Sequence, residues 1–273
     1  MTKLLLGAPV AEQLAQYCRQ KACSLGFEPT LVAVGTDNAQ WTQYLRSLEK
    51  HAASFGARVK AVSAAGMTAE QMTEVVAALS AEGNTHGILV EQPLPSQYAQ
   101  AVNAVACHKD VDCLSQLSAA KLYLGRECMF PATPLAVLKL LDYYNIELQG
   151  KNVVIVGRGN AVGKPLSLMM LRRNATVTVC HTKTVGLEEI CRRAEVLVSA
   201  CGSAGLITEN HVTERSVVVD VGLSFVQGKT SGDVSDGARD IAAAVSPVPG
   251  GVGPVTRAAL FCNLIEAAAA GRI

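Results

Sequence analysis

The sequence predicts an α/β protein of two lobes, each with a largely parallel sheet flanked by helices. Three observations predict it. Short apolar runs such as Thr30–Gly35 (TLVAVG), Val153–Val156 and Val217–Val221 carry no alternation of polar residues, as in strands buried on both faces. Segments of helical spacing separate the runs, and strands that alternate with helices of this length pair in parallel. A chain of 273 residues, 49 % of them apolar, has material for a core in each lobe.

In the first lobe the spacing predicts a helix from Ala11 to about Gly26, a strand at Thr30–Gly35, and a helix from about Trp41 to Phe55 closed by Gly56. A strand at Arg58–Val62, a helix at Thr68–Ser80 and a strand at His86–Val90 follow. Glu91-Gln-Pro-Leu-Pro95 cannot continue a sheet, because two prolines remove donors; it is expected as a loop at the C-terminal edge of that strand, where open α/β sheets bind ligands. Pro131-Ala-Thr-Pro134 introduces a helix, with Thr133 expected as N-cap and Pro134 at the first helical position. The second lobe reads strand Val153–Val156, helix Lys164–Arg173, strand Thr176–Cys180, helix Leu187–Arg193, and strands Val196–Ser199, Val217–Val221 and Ile241–Val245. A last helix from Thr256 to Ala270 is expected to return to the first lobe. The domains are therefore drawn as 1–135 plus 256–273, and 136–255.

Charge narrows the function. Lys plus Arg number 24 against 23 Asp plus Glu, a formal net charge of +1, which leaves no sequence-wide field for nucleic acid or an anionic membrane. No apolar run approaches the roughly 20 residues of a membrane span. Nine cysteines, an odd number without a CxxC pair, argue against a disulfide framework and a zinc site and for a cytoplasmic protein. Cys180, Cys201 and Cys262 lie in apolar runs and are expected as core thiols, and no metal is expected from the histidine spacing.

Two glycine-rich segments carry the chemistry. Val153-Val-Ile-Val-Gly157-Arg-Gly159-Asn-Ala-Val-Gly163-Lys-Pro165 is a strand, a tight turn and a helix start, the arrangement that brings backbone N–H groups against a phosphate. It makes the second lobe Rossmann-like. The next strand ends in Cys180-His181-Thr182-Lys183-Thr184 with no acid to hold a ribose 2′-hydroxyl, whereas Thr182 and Arg158 can donate to a 2′-phosphate. NADP is therefore favoured, with NAD not excluded. Pro247-Val-Pro-Gly-Gly251-Val-Gly-Pro254-Val-Thr256 reads as a rigid, thin-walled turn before a helix capped by Thr256, able to lie flat against a planar ring.

These strings resemble the bifunctional methylenetetrahydrofolate dehydrogenase/methenyltetrahydrofolate cyclohydrolase family. The matching segments are VVIVGRGNAVGKP (Val153–Pro165), TVTVCHTKT (Thr176–Thr184), VVVDVGLS (Val217–Ser224), SPVPGGVGPVT (Ser246–Thr256), GILVEQPLP (Gly87–Pro95), KDVD (Lys109–Asp112) and PATP (Pro131–Pro134). The resemblance runs nearly end to end. It implies a folate cleft between the lobes, a catalytic first domain, an NAD(P)-binding second domain, tetrahydrofolate substrates and a homodimer. The implied reaction moves a hydride from the methylene carbon bridging N5 and N10 to the nicotinamide. The resemblance implies cofactor contacts at Gly157, Arg158, Gly159, Asn160, Val162, Gly163, His181, Thr182, Cys201 and Gly202. Folate contacts are implied at Asp112, Pro93, Gly250, Gly251 and Pro254, with Asp112 accepting from the amino edge of a pterin.

The chain departs from the family at its first lobe. The family's Tyr-x-x-x-Lys falls on Tyr44 and Leu48, with the loop after Gly35 one residue longer. Lys50 lies about 200° round the helix from Leu48 and does not replace the lysine. Glutamine becomes Glu91, the following leucine Gln92, and the aspartate before Gly-Ile-Leu-Val becomes His86. Tyr44, Leu48 and Glu91 thus occupy the catalytic positions, with Glu91 either a substitute acid or base or a partner for a different donor on a modified ligand. Hydride transfer is largely positioning, whereas hydrolysis of the methenyl group needs placed proton transfer. The expectation is an NADP-dependent dehydrogenase whose cyclohydrolase activity is weak or lost. The alternatives are a fully bifunctional enzyme, a folate- or nucleotide-binding paralogue without turnover, and a dehydrogenase of another substrate.

Overall fold

The computed structural model describes residues 2–226 and 228–271, which fall into two compact units. One comprises Glu12–Ala132 with residues 257–271, the other residues 2–11 with Thr133–Thr256. The divisions fall at 11/12, 132/133 and 256/257. Lys3–Leu4 pairs in parallel with Ala244–Val245, and Leu5 N–H donates to Val245 O at 2.8 Å, which ties the first residues to the second unit. Residues 1, 272 and 273 of the drawn boundaries lie outside the described residues.

The unit containing Glu12–Ala132 is built on a three-stranded parallel sheet in the order Arg58–Ser63, Thr30–Gly35, Gly87–Val90. The middle strand is buried along its whole length, so its six residues can all be apolar or small without cost. Gly87 is required there, because a Cβ would meet Val111 Cγ1 at 2.5 Å. Helix Ala39–Ala52 is capped by Asn38, whose side chain accepts from Trp41 N–H at 2.9 Å. It closes through a 3₁₀ turn on Gly56, in the left-handed conformation at φ 68° as the sequence requires. From Arg257 on, the last helix packs into this unit as expected: Phe261 stacks on Phe55 with ring centroids 4.6 Å apart, and Asn263 donates to Val111 O and Phe130 O, each at 2.7 Å.

The other unit holds a six-stranded parallel sheet in the order Lys3–Leu4, Ala244–Val245, Val217–Asp220, Val196–Ser199, Asn152–Val156, Thr176–Cys180. The chain order reverses at Asn152–Val156, which makes the end of that strand the switch point where doubly wound sheets bind ligands. The strand expected at Ile241–Val245 shrinks to Ala244–Val245, because Ser235 caps a helix over Asp236–Ile241.

Two helix starts differ from expectation. The helix introduced by Pro131 spans Ala132–Tyr143, so Thr133 and Pro134 lie inside its first turn. The capping is done from outside, by Asp112 Oδ1 accepting from Ala132 N–H at 2.7 Å. The last helix spans Val252–Ala270, so Thr256 does not cap it; Thr256 Oγ1 donates back to Val252 O at 3.3 Å.

Candidate active site

The glycine-rich turn after Asn152–Val156 uses its glycines for two different purposes. Gly157 adopts φ 126°, and a Cβ there would lie 2.4 Å from Ala200 O; a Cβ on Gly163 would lie 2.0 Å from Gly157 O. Both are demanded by backbone packing. Gly159 faces open space with nothing within 4 Å of a Cβ, leaving the turn bare to a ligand. Helix Gly163–Leu171 starts from Val162 with no side-chain cap, so an external acceptor can complete it. Arg158, Gly159 and Asn160 are exposed, and Asn160 Oδ1 accepts from Lys164 Nζ at 2.8 Å.

At the end of Thr176–Cys180 the chain turns on itself: His181 N–H donates to Thr184 Oγ1 at 2.8 Å, and Lys183 N–H donates to His181 Nδ1 at 3.1 Å. Thr182 is exposed at the tip. The third loop of this edge, residues 200–203, holds Cys201 and Gly202. Three consecutive N–H groups, of Cys201, Gly202 and Ser203, converge on the Asp233 carboxylate at 3.0, 3.3 and 2.7 Å, and Ser199 Oγ joins them at 2.9 Å. Cys201 is exposed rather than a core thiol, unlike Cys180 and Cys262. Burial of its sulfur and the neighbouring Asp233 push its thiol up to about 11 and keep it protonated.

Asp233 and its neighbour Asp220 hold the loops at this sheet edge together, and the sequence reading passed over them. Both are completely buried. Asp220 accepts from the N–H groups of Gly222, Asp233 and Val234 at 3.0 Å each, and burial raises its carboxyl above the ordinary range. Gly222 and Gly232 leave room for the pair, since a Cβ on either would lie 2.1 Å from a carboxylate atom. An acid closing a buried apolar strand, Val217-Val-Val-Asp220, was the available signal.

In the Pro247–Thr256 segment Gly250 adopts φ 105° with open space before it, whereas Gly251 is packed against Pro247 O. Gly7 crosses so closely that its Cβ would lie 1.9 Å from Gly251 O. Pro254 sits in the first turn of the last helix, partly exposed.

The unit with the three-stranded sheet carries Tyr44, Leu48, Glu91, Pro93 and Asp112. Tyr44 and Leu48 lie one turn apart on helix Ala39–Ala52, Tyr44 about one-third exposed and leaning on Trp41 at 6.1 Å between ring centroids, Leu48 completely buried. Burial and the charge of Asp112 raise the Tyr44 phenol, while Arg257 pulls it down. Burial pushes Asp112 up to about 6, against the bond from Ala132 N–H, with Asp110 adding to the rise. Glu91 is buried, and both carboxylate oxygens are taken: Oε2 accepts from Thr36 N–H at 2.5 Å and from Thr36 Oγ1 at 2.8 Å, and Oε1 accepts from Asn38 Nδ2. It anchors the loop 36–38, whose Asn38 caps the Tyr44 helix. Pro93 is exposed after a cis Gln92–Pro93 bond.

Comparison with known proteins accounts for both units. Residues 5–112 match the catalytic domain of the tetrahydrofolate dehydrogenase/cyclohydrolase family, and residues 131–272 match its NAD(P)-binding domain. The Bifunctional protein FolD of Thermus thermophilus is 42 % identical over 271 residues, covering 97 % of this chain and 96 % of the relative; that of Clostridium perfringens is 40 % identical over 275 residues, covering 97 % and 99 %. Among solved structures, the bifunctional FolD enzyme of Campylobacter jejuni superposes with a TM-score of 0.95 at 34 % identity over 99 % of both chains. The Trypanosoma brucei enzyme, solved with NADP and an inhibitor, superposes at 0.91 and 31 % identity over 98 % of both. Matched in chain order by both domains and near full length by relatives at these identities, the chain belongs to the tetrahydrofolate dehydrogenase/cyclohydrolase family.

Proposed function

We propose that the protein oxidises 5,10-methylenetetrahydrofolate to 5,10-methenyltetrahydrofolate with NADP, and that its methenyltetrahydrofolate cyclohydrolase activity is weak or lost. The carrying observation is the completely buried Leu48 one turn from Tyr44, together with a Glu91 whose two oxygens are already occupied by Thr36 and Asn38. Neither offers a free group to move a proton, and a placed acid or base contributes about 10²–10⁴-fold to such a step. The dehydrogenase step asks mainly for alignment. NADP supplies the hydride acceptor when bound. The bare Gly159, the uncapped start of helix Gly163–Leu171 and the closely packed Gly157 and Gly163 fit a dinucleotide phosphate, with Arg158, Asn160, Val162, His181, Thr182, Cys201 and Gly202 around it. The absence of an acid after Thr176–Cys180 supports a 2′-phosphate.

On the folate side, the resemblance assigns Asp112 the pterin amino edge and names Pro93, Gly250, Gly251 and Pro254 as further folate contacts. A homodimer and a cytoplasmic setting belong to the same reading; no helix of the described residues is long and apolar enough to cross a membrane. The fully bifunctional alternative is favoured by the names of the relatives. One experiment separates the readings: purified protein is mixed with methylenetetrahydrofolate and NADP, and NADPH is followed alongside the methenyl product. NADPH with accumulating methenyl product is expected. NADPH without accumulation establishes the bifunctional enzyme, and no NADPH with either nicotinamide overturns the dehydrogenase assignment.

A further inference from the structure

The helix turn that carries Tyr44 and Leu48 also carries Ser47, whose Oγ accepts a hydrogen bond of 2.8 Å from Arg257 Nη1. Arg257 is partly buried, and no carboxylate among the described residues forms an ion pair with it. A guanidinium drawn out of water without a counter-ion is costly, and one held by a neutral hydroxyl keeps its field for other neighbours. Tyr44 precedes Ser47 by three residues on the same helix, so the guanidinium bonded to Ser47 stands within one helix turn of it, and its charge opposes the rise of the Tyr44 phenol. A cation beside a phenol makes it a stronger hydrogen-bond donor.

We infer that Arg257 is a positioning residue for Tyr44: moored on Ser47, it supplies the fixed positive charge that Leu48 does not, and sharpens the Tyr44 hydroxyl as a donor to an acceptor nitrogen or carbonyl of the folate. The inference rests on the folate assignment made above. No covalent step is involved; Tyr44 and Arg257 each keep their proton.

The test is a double-mutant cycle on the full chain, with Tyr44→Phe, Arg257→Gln, both together, and Arg257→Lys. Two quantities are read: kcat/KM for methylenetetrahydrofolate oxidation, and the Kd of tetrahydrofolate from fluorescence of Trp41, the chain's single tryptophan, 6.1 Å from the Tyr44 ring. Each single variant should lose about tenfold, the value of one charge-assisted hydrogen bond. The double variant should be no worse than Tyr44→Phe alone, because Arg257 acts through the hydroxyl, and Arg257→Lys should recover most of the loss. A double variant that loses the product of the two single losses overturns the inference, as does an Arg257→Gln variant equal to wild type. If Arg257→Gln fails to fold, Ser47→Ala takes its place, with a smaller loss that must vanish in the Tyr44→Phe background. Wild-type protein that binds tetrahydrofolate without oxidising the methylene compound defeats the dehydrogenase reading while the binding cycle still decides Arg257; protein that does neither overturns both.

Discussion

Replacing Leu48 with lysine tests both the burial of this position and its chemical consequence. Leu48 has no exposed surface, so removing it forfeits about 2 kcal/mol of apolar burial. A lysine in its place faces desolvation with Arg257 bonded to the adjacent Ser47, and its folded pKa falls well below the unfolded value of about 10.4. The sign follows from that depression. Between about pH 9 and pH 7 the unfolded chain already holds a proton that the folded chain lacks, so the variant loses stability as pH falls, by about 2.7 kcal/mol over that interval. For a chain of this size the penalty corresponds to about 5–10 °C in Tm. Thermal unfolding of wild type and Leu48→Lys at both pH values gives the answer, with the Tm gap widening at pH 7. A neutral amine at that pH is also a proton acceptor, so the cyclohydrolase rate should rise, by about 100-fold if the side chain reaches the reacting carbon. A Tm gap equal at the two pH values refutes the reasoning, because it means that the new ammonium reaches water and the position is not sealed.

Further outcomes follow from the geometry. Asp112→Asn keeps the acceptor for Ala132 N–H but removes a buried carboxylate raised from 3.8 to about 6; it should be more stable than wild type by about 1–3 kcal/mol at pH 7, with the gap closing as pH falls from 6 towards 4, and should weaken tetrahydrofolate binding in calorimetry. Gly163→Ala should lose NADP binding because its Cβ would lie 2.0 Å from Gly157 O, whereas Gly159→Ala should unfold within about 1 °C of wild type and Gly159→Asp should fold normally yet fail to bind NADP. Asp233→Ala strands the N–H groups of Cys201, Gly202 and Ser203 and should cost about 3 kcal/mol or more in denaturant unfolding.

The main strands and the glycine-rich turn were legible because their signal is local. TLVAVG can only be a strand buried on both faces, and a glycine-rich turn between a strand and a helix reveals itself by spacing. The i, i+4 relation of Tyr44 and Leu48 was equally local. What escaped was set by partners distant in sequence. Ala132 begins its helix because Asp112, twenty positions earlier, accepts its N–H. Glu91 read as a free carboxylate because nothing in its own neighbourhood shows that Thr36 and Asn38 close on it. Asp220 and Asp233, thirteen positions apart, look like two ordinary acids until the fold brings one's carboxylate to the other's N–H. Arg257 belongs to the same class, since only the return of the last helix brings it to Ser47.

That return has a consequence for how the protein is made. The unit containing Glu12–Ala132 is finished by residues that begin at Arg257, 125 positions after Ala132, and Phe261, Leu264 and Ile265 are all completely buried there. At about 5–20 residues per second a ribosome leaves this core open for about 6–25 s after its first part has emerged. Val111 O and Phe130 O wait as long for Asn263. The other sheet waits too, because Lys3–Leu4 pairs with Ala244–Val245, far later in the chain. Neither unit can close before its late segment is made. Loss of residues 257–271 would therefore spoil the unit whose other residues, Glu12–Ala132, come well before them in the chain.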